Sequence, residues 1–97
     1  SLPKHAVVET NAVFGKNSVK PVFAGKLPDE VNIIVNKHAM NQENLVTASI
    51  ERDIDLAFSV FLNDNLMTLD IDDAVKLFRE MIQNTAAYLD GWDIGKI

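Results

Sequence analysis

No cysteine occurs among the 97 residues. Disulfides, zinc–thiolate sites and thiol nucleophiles are therefore excluded from this chain, and a cytoplasmic protein is expected. No apolar run reaches the roughly 20 residues that a membrane-spanning helix needs, so no membrane partner is expected. No basic n-region followed by an apolar h-region opens the chain, so no signal peptide is visible. Internal repeats and low-complexity segments are lacking. Bases are scarce beyond the first quarter: residues 27–97 hold thirteen acids against five bases, whereas residues 1–26 hold Lys4, Lys16, Lys20 and Lys26 against Glu9 alone. An acidic helical half repels a phosphate backbone, which argues against nucleic acid as a partner. The same acids also serve as solvated helix faces.

What is present suffices for one modest core. Hydrophobic residues make up 47% of the chain, and a domain of this size buries roughly 65% of the surface that its unfolded form exposes. One domain over residues 1–97 is expected. The opening run, Leu2 to Phe14, is strand-like but carries Glu9, Thr10 and Asn11 where a plain core strand would carry Val or Ile. It starts with no leader and no helix before it, which leads to the expectation that the chain is a fragment of a larger protein.

The hydrophobic pattern predicts a hairpin followed by three helices, an α+β arrangement. Residues 6–14 and 18–24 read as its strands, with Gly15-Lys16-Asn17 between them. Gly and Asn there are expected to supply the positive φ angles of a short turn. Pro21 cannot donate to a ladder, so its nitrogen is expected to face outward, and Gly25 ends the strand. Pro28 stands where a first helical residue belongs, with Asp29 and Glu30 in the first turn. Val31, Ile34, Val35, His38, Leu45, Val46 and Ile50 then recur at helical spacing, which predicts one long helix over 28–52. Asp53 is placed to cap a second helix through Leu62, and Asp70 to cap a third that stops at Gly91. Trp92 to Ile97 reads as a tail docking back on the body. A lone hairpin is marginal and its edges stay open, which is the physical hint of an absent partner.

Candidate chemistry is thin. In an alternating strand Glu9 and Asn11 share a face with Val7 and Val13, and Thr10 faces the other way with Val8 and Ala12. Glu9 and Asn11 then either line a polar cleft and bind sugar hydroxyls, or form the solvent side of a half-buried strand. His5 and His38 lack the companion ligands that a metal site needs; His38 reads as a core or interface residue. Asp53 with Asp55, and Asp70 with Asp72 and Asp73, could be paired carboxylates for glycosidic acid–base work, but their places at helix starts fit capping better. Gly15-Lys16-Asn17-Ser18 lacks the spacing of a phosphate loop.

The order of segments resembles glycoside hydrolase family 4, the NAD- and metal-dependent glycosidases that include α-glucosidases, α-galactosidases, α-galacturonidases and 6-phospho-glycosidases. Leu2-Pro3-x-x-Ala6-Val7-Val8-Glu9 resembles the family's Asn-Leu-Pro…Ala-Val-Val-Glu-Val strand. The likeness continues through Val19-Lys20-Pro21-Val22, Gly25-x-Leu27-Pro28, Asn41-Gln42-Glu43, Ala48, Asp53, Phe61-Leu62-Asn63-Asp64 and Leu66. It covers nearly the whole chain, and the order and spacing of these motifs are more specific than any one of them.

The resemblance implies a carboxy-terminal portion of a larger α/β enzyme. In such enzymes NAD oxidises the sugar at C3, a base removes the C2 proton, the glycosidic bond is lost by elimination, and water and hydride return. The dinucleotide site, the metal-binding Cys and His and the tyrosine base lie upstream in the family, and Tyr88 does not match that tyrosine. No catalytic, metal or cofactor residue is carried over to this chain. Glu9 and Asn11 are the substrate-binding candidates, because their segment resembles the one that borders the sugar pocket. Many members have Glu-Val-Pro-Cys there; this chain has Glu9-Thr10-Asn11-Ala12. The parent is expected to use NAD and a divalent metal such as manganese, and to be a homo-oligomer. The expected partners of this chain are an amino-terminal dinucleotide-binding portion, a sugar substrate and further copies through the long helix (Ile34, Val35, His38, Leu45). The isolated chain is expected to be inactive. The alternative is a free-standing α+β interaction module without enzymatic activity.

Overall fold

The computed structural model of the chain describes residues 2–97. A two-stranded antiparallel sheet, β1 (Ala12–Gly15) and β2 (Ser18–Pro21), precedes three helices: α1 (Asp29–Glu51), α2 (Ile54–Leu62) and α3 (Ile71–Asn84). Short 3-10 turns at Ala86–Tyr88 and Ile94–Lys96 follow. The α+β order of a hairpin and three helices is the one the residue pattern predicts. The chain divides into two compact units, Ser1–Ala39 and Met40–Ile97.

In the first unit the hairpin register pairs Ala12 with Pro21, Val13 with Lys20, Phe14 with Val19 and Gly15 with Ser18. The strands are shorter than the alternation suggests. Residues 3–6 instead make a turn, with the Ala6 N–H on the Pro3 carbonyl at 3.1 Å. The Val22 N–H reaches the Asn11 carbonyl (2.7 Å), but the Val22 carbonyl takes its proton from the Thr10 hydroxyl (2.9 Å). A side chain thus ends the ladder where a longer strand would continue it. The Lys16-Asn17 link also closes without any residue at positive φ; Gly15 and Asn17 do not supply one. A Cβ at Gly15 would stand 2.7 Å from Ser18 Oγ, a hydroxyl that can rotate away. Positive φ falls at Gly25 (86°), which turns the chain out of β2.

α1 starts one residue later than expected. The N–H groups of Val31 and Asn32 bond the Pro28 carbonyl at 3.1 and 2.8 Å, so Pro28 flanks the helix and Asp29 opens it. At its other end Arg52 adopts φ 55°, and the Asp53 N–H returns to the Ala48 carbonyl at 2.9 Å. That six-residue closure usually uses glycine at the left-handed position.

In the second unit Asp53 and Asp70 cap as the pattern requires. Asp53 Oδ1 accepts from the Leu56 N–H (3.0 Å) and Asp70 Oδ1 from the Asp73 N–H (2.9 Å). The Asp73 carboxylate is occupied by Lys76 at 3.2 Å rather than closing a capping box. α3 ends at Asn84, short of Gly91. The Thr85 hydroxyl donates back to the Met81 carbonyl (2.9 Å), the local bonding by which Thr competes with helix continuation. The core gathers here. Ala48, Ile54, Ala74 and Phe78 are buried, and Phe78 packs against Phe58 and Phe61 with ring centroids 5.0 and 5.3 Å away. Trp92 is half-buried and Tyr88 is exposed.

Candidate functional site

The polar residues of the opening run meet at one place in the first unit. Glu9, Thr10, Asn11 and Ala24 line a cavity of about 390 Å³. Strict alternation would put Thr10 on the face opposite Glu9 and Asn11. Residues 6–11 are outside the paired strand, and three consecutive residues line one wall of the cavity. The Thr10 hydroxyl is held there by its bond to the Val22 carbonyl. With its proton committed, it still offers lone pairs as an acceptor.

Beside it lies a larger cavity of about 730 Å³, whose lining includes Val7, Val8, Glu9, Thr10, Phe23 and Val35. Glu9 and Thr10 thus border both spaces, one polar and one chiefly apolar. Volumes of about 300–1,000 Å³ with a few convergent polar groups are typical of small-molecule sites. A carboxylate that accepts, an amide that both donates and accepts, and a hydroxyl oxygen form a set suited to a polyhydroxylated ligand. Ala24 and the Val22 carbonyl were not singled out from sequence. No sequence signal marks them; Ala24 precedes Gly25, which sits at positive φ just after the return strand.

The other sequence candidates do not join this site. His5 and His38 are exposed, so a core role for His38 is excluded. Asp53 and Asp70 are spent on helix caps. Asp55 pairs with Lys96, and this carboxylate, as hydrogen-bond acceptor and as neighbouring charge, raises the Lys96 pKa above its ordinary 10.5. Among the described residues no group of three or more His, Asp or Glu is placed to hold a metal ion. Among the described residues no helix is long and apolar enough to cross a membrane.

Comparison with known proteins converges on one family. Residues 1–67 match the family model described as the family 4 glycosyl hydrolase C-terminal domain. The chain is 56% identical over 93 residues, 96% of its length, to an alpha-galacturonidase of Thermoanaerobacterium saccharolyticum, and covers 20% of that protein. It is 47% identical over 89 residues to an alpha-galacturonidase of Thermoanaerobacter italicus, covering 91% of this chain and 20% of the relative. A third alpha-galacturonidase, from Bacillus subtilis, is 43% identical over 83 residues, 86% of this chain and 19% of the relative. The chain thus spans about a fifth of the length of the curated relatives it matches. No solved structure matches it. With two thirds of its residues under the family model and its relatives all glycosidases by name, the chain belongs to glycoside hydrolase family 4 and is a C-terminal part of such an enzyme.

Proposed function

We propose that this chain forms part of the sugar site of a glycosidase that cleaves α-linked galacturonides. The observation that carries the reading is the shared wall of Glu9, Thr10 and Asn11, in a chain whose relatives bear the name alpha-galacturonidase. The Glu9 carboxylate accepts hydrogen bonds from sugar hydroxyls, and the Asn11 amide donates to a hydroxyl or carboxylate oxygen. Both act by orienting the sugar; neither takes part in bond cleavage.

The parent is proposed to use NAD and a divalent metal such as manganese, which supply the redox and Lewis-acid chemistry of the family. The residues of this chain do not fit either group. The described residues offer no metal-ligand cluster, and the sequence has no Gly-x-Gly-x-x-Gly loop and no cysteine. No step is therefore assigned to this chain through them. The isolated chain is proposed to be inactive, and its partner is the dinucleotide-binding part of the same polypeptide. Exposed apolar residues on α1, Ile34 and Leu45 among them, support a further role in contacts between copies of the cytoplasmic parent.

The test is the full-length enzyme assayed on an aryl α-galacturonide with NAD, manganese and a reductant. Turnover is expected, and Asn11→Ala is expected to raise KM at least about tenfold, the loss of one to two hydrogen bonds to a polar ligand, with NAD affinity unchanged. An unaltered KM for Asn11→Ala would remove this wall from the sugar site. Turnover by the isolated chain would overturn the reading as a whole.

A further inference from the structure

The two outer edges of the hairpin are chemically unequal. The Val22 N–H bonds the Asn11 carbonyl, and in an antiparallel ladder mutually bonded pairs alternate with unbonded ones. Asn11 with Val22, Val13 with Lys20 and Gly15 with Ser18 are therefore the bonded pairs, whereas Ala12 opposite Pro21 and Phe14 opposite Val19 direct their main-chain groups outward. The outer edge of β1 thus presents N–H and C=O from both Ala12 and Phe14. The outer edge of β2 presents the carbonyls of Val19 and Pro21 but a single N–H, that of Val19, because Pro21 has none. β2 also carries Lys20, next to Lys16 in the turn, while Ala12–Gly15 is uncharged. Proline and lysine are the residues that keep an edge strand from pairing further. β1 has neither. The hairpin also buries little by itself: Phe14 is 77% exposed and Val19 62%.

We infer that the outer edge of β1 pairs with a strand from the remainder of the parent polypeptide, and that β2 is the terminal strand of the completed sheet. This rests on the reading of the chain as part of a longer family 4 enzyme. The relatives supply ample chain for the role, since four-fifths of their length lies outside the match. A strand of the same polypeptide meets β1 at an effective concentration on the order of millimolar. Two copies meeting through β1 would gain no such advantage, and a strand of four residues offers them few bonds. The incoming strand should set β-branched or aromatic residues beside Ala12 and Phe14, the partners that pack best across a ladder.

Amide hydrogen exchange on the full-length enzyme tests this, together with two proline variants. Ala12→Pro and Val19→Pro each delete one outward N–H and leave every bond inside the hairpin intact. Ala12 stands directly opposite the native Pro21, so the hairpin already tolerates proline at that level. The amides of Ala12 and Phe14 should exchange at least about 100-fold more slowly than that of Val19, as paired groups do relative to open ones. Ala12→Pro should lower the melting temperature of the full-length enzyme, while Val19→Pro should leave it near wild type. Equal exchange at Phe14 and Val19, or equal damage from both prolines, would overturn the inference. Protection at Ala12 that grows with protein concentration would replace the parent strand with a second copy and overturn it too. If Ala12→Pro fails to fold, the wild-type exchange pattern decides alone. Glycosidase activity is measured separately, so a lost family reading and a lost edge pairing remain distinct results.

Discussion

The two compact units of this chain differ in what holds them. Unit two, Met40–Ile97, has a small interior: Phe78 against Phe58 and Phe61, with Ile54, Ala48 and Ala74 buried. Its helices begin on satisfied carboxylate caps. Unit one, Ser1–Ala39, carries the candidate site yet buries only Ala39 below a tenth exposure among its described residues. Val7 and Phe23 are 93% and 92% exposed there. The polar wall and the larger hollow beside it are thus mounted where the chain has the least core of its own. Exposed apolar residues of this kind mark surfaces that pack against a partner, in keeping with the proposed role of this chain as one part of a larger sugar site.

The largest effect expected from that contrast is at Phe78. Phe78→Ala should destabilise the isolated chain by about 3–5 kcal/mol through the cavity it leaves, read as a shift in urea midpoint. Phe14→Ala in the same chain should stay within about 0.5 kcal/mol, as exposed substitutions do. Comparable losses at both positions would erase the distinction between the units. Next come the caps: Asp53→Ala and Asp70→Ala should each cost about 1 kcal/mol, the usual worth of a side-chain N-cap. A double variant additive in its loss would show that the two caps act separately.

Arg52 sharpens the picture by stabilising rather than damaging. It occupies a left-handed position at the end of α1, so Arg52→Gly should add about 0.5–1 kcal/mol by relieving the Cβ clash. The guanidinium also lies against Gly91, where a Cβ would come within 2.6 Å of it. If Arg52→Gly instead destabilises, that side chain is a needed tie to the Gly91 turn. The smallest effect belongs to the Lys96–Asp55 pair. Because the folded-state pKa of Lys96 is raised above 10.5, its contribution is complete below that value and fades as pH climbs through the folded-state pKa. The pair is exposed, so its effect is small and weakened by salt. Lys96→Met should melt slightly below wild type at neutral pH and at the same temperature in strong alkali.

Much of the fold was legible in the residues, for local reasons. Asp53 and Asp70 announced helix starts because a carboxylate satisfies amides only three residues away. The long helix was readable from its period, apart from the one-residue shift at Pro28. Pro21 was rightly placed with its nitrogen outward. The strand lengths were not legible, because alternation over residues 6–11 says nothing about whether a neighbouring strand is there to bond them. α3 ends at Asn84 and not at Gly91, with the Thr85 hydroxyl folded back on the last turn, a local bond that the glycine stop signal does not reveal. The turn at Lys16-Asn17 differs from the expectation because neither Gly15 nor Asn17 takes a left-handed conformation.

Sequence by itself determined the kind and order of elements, the family, and the presence of Glu9, Thr10 and Asn11 where apolar residues were expected. Those features depend on neighbours a few positions along the chain. Only the tertiary structure decided that the three polar residues line one cavity, that Ala24 joins them, and that one hairpin edge is open while the other is blunted. Such outcomes depend on which groups find partners across space, as the Thr10 hydroxyl does on the Val22 carbonyl and the Val22 N–H on the Asn11 carbonyl.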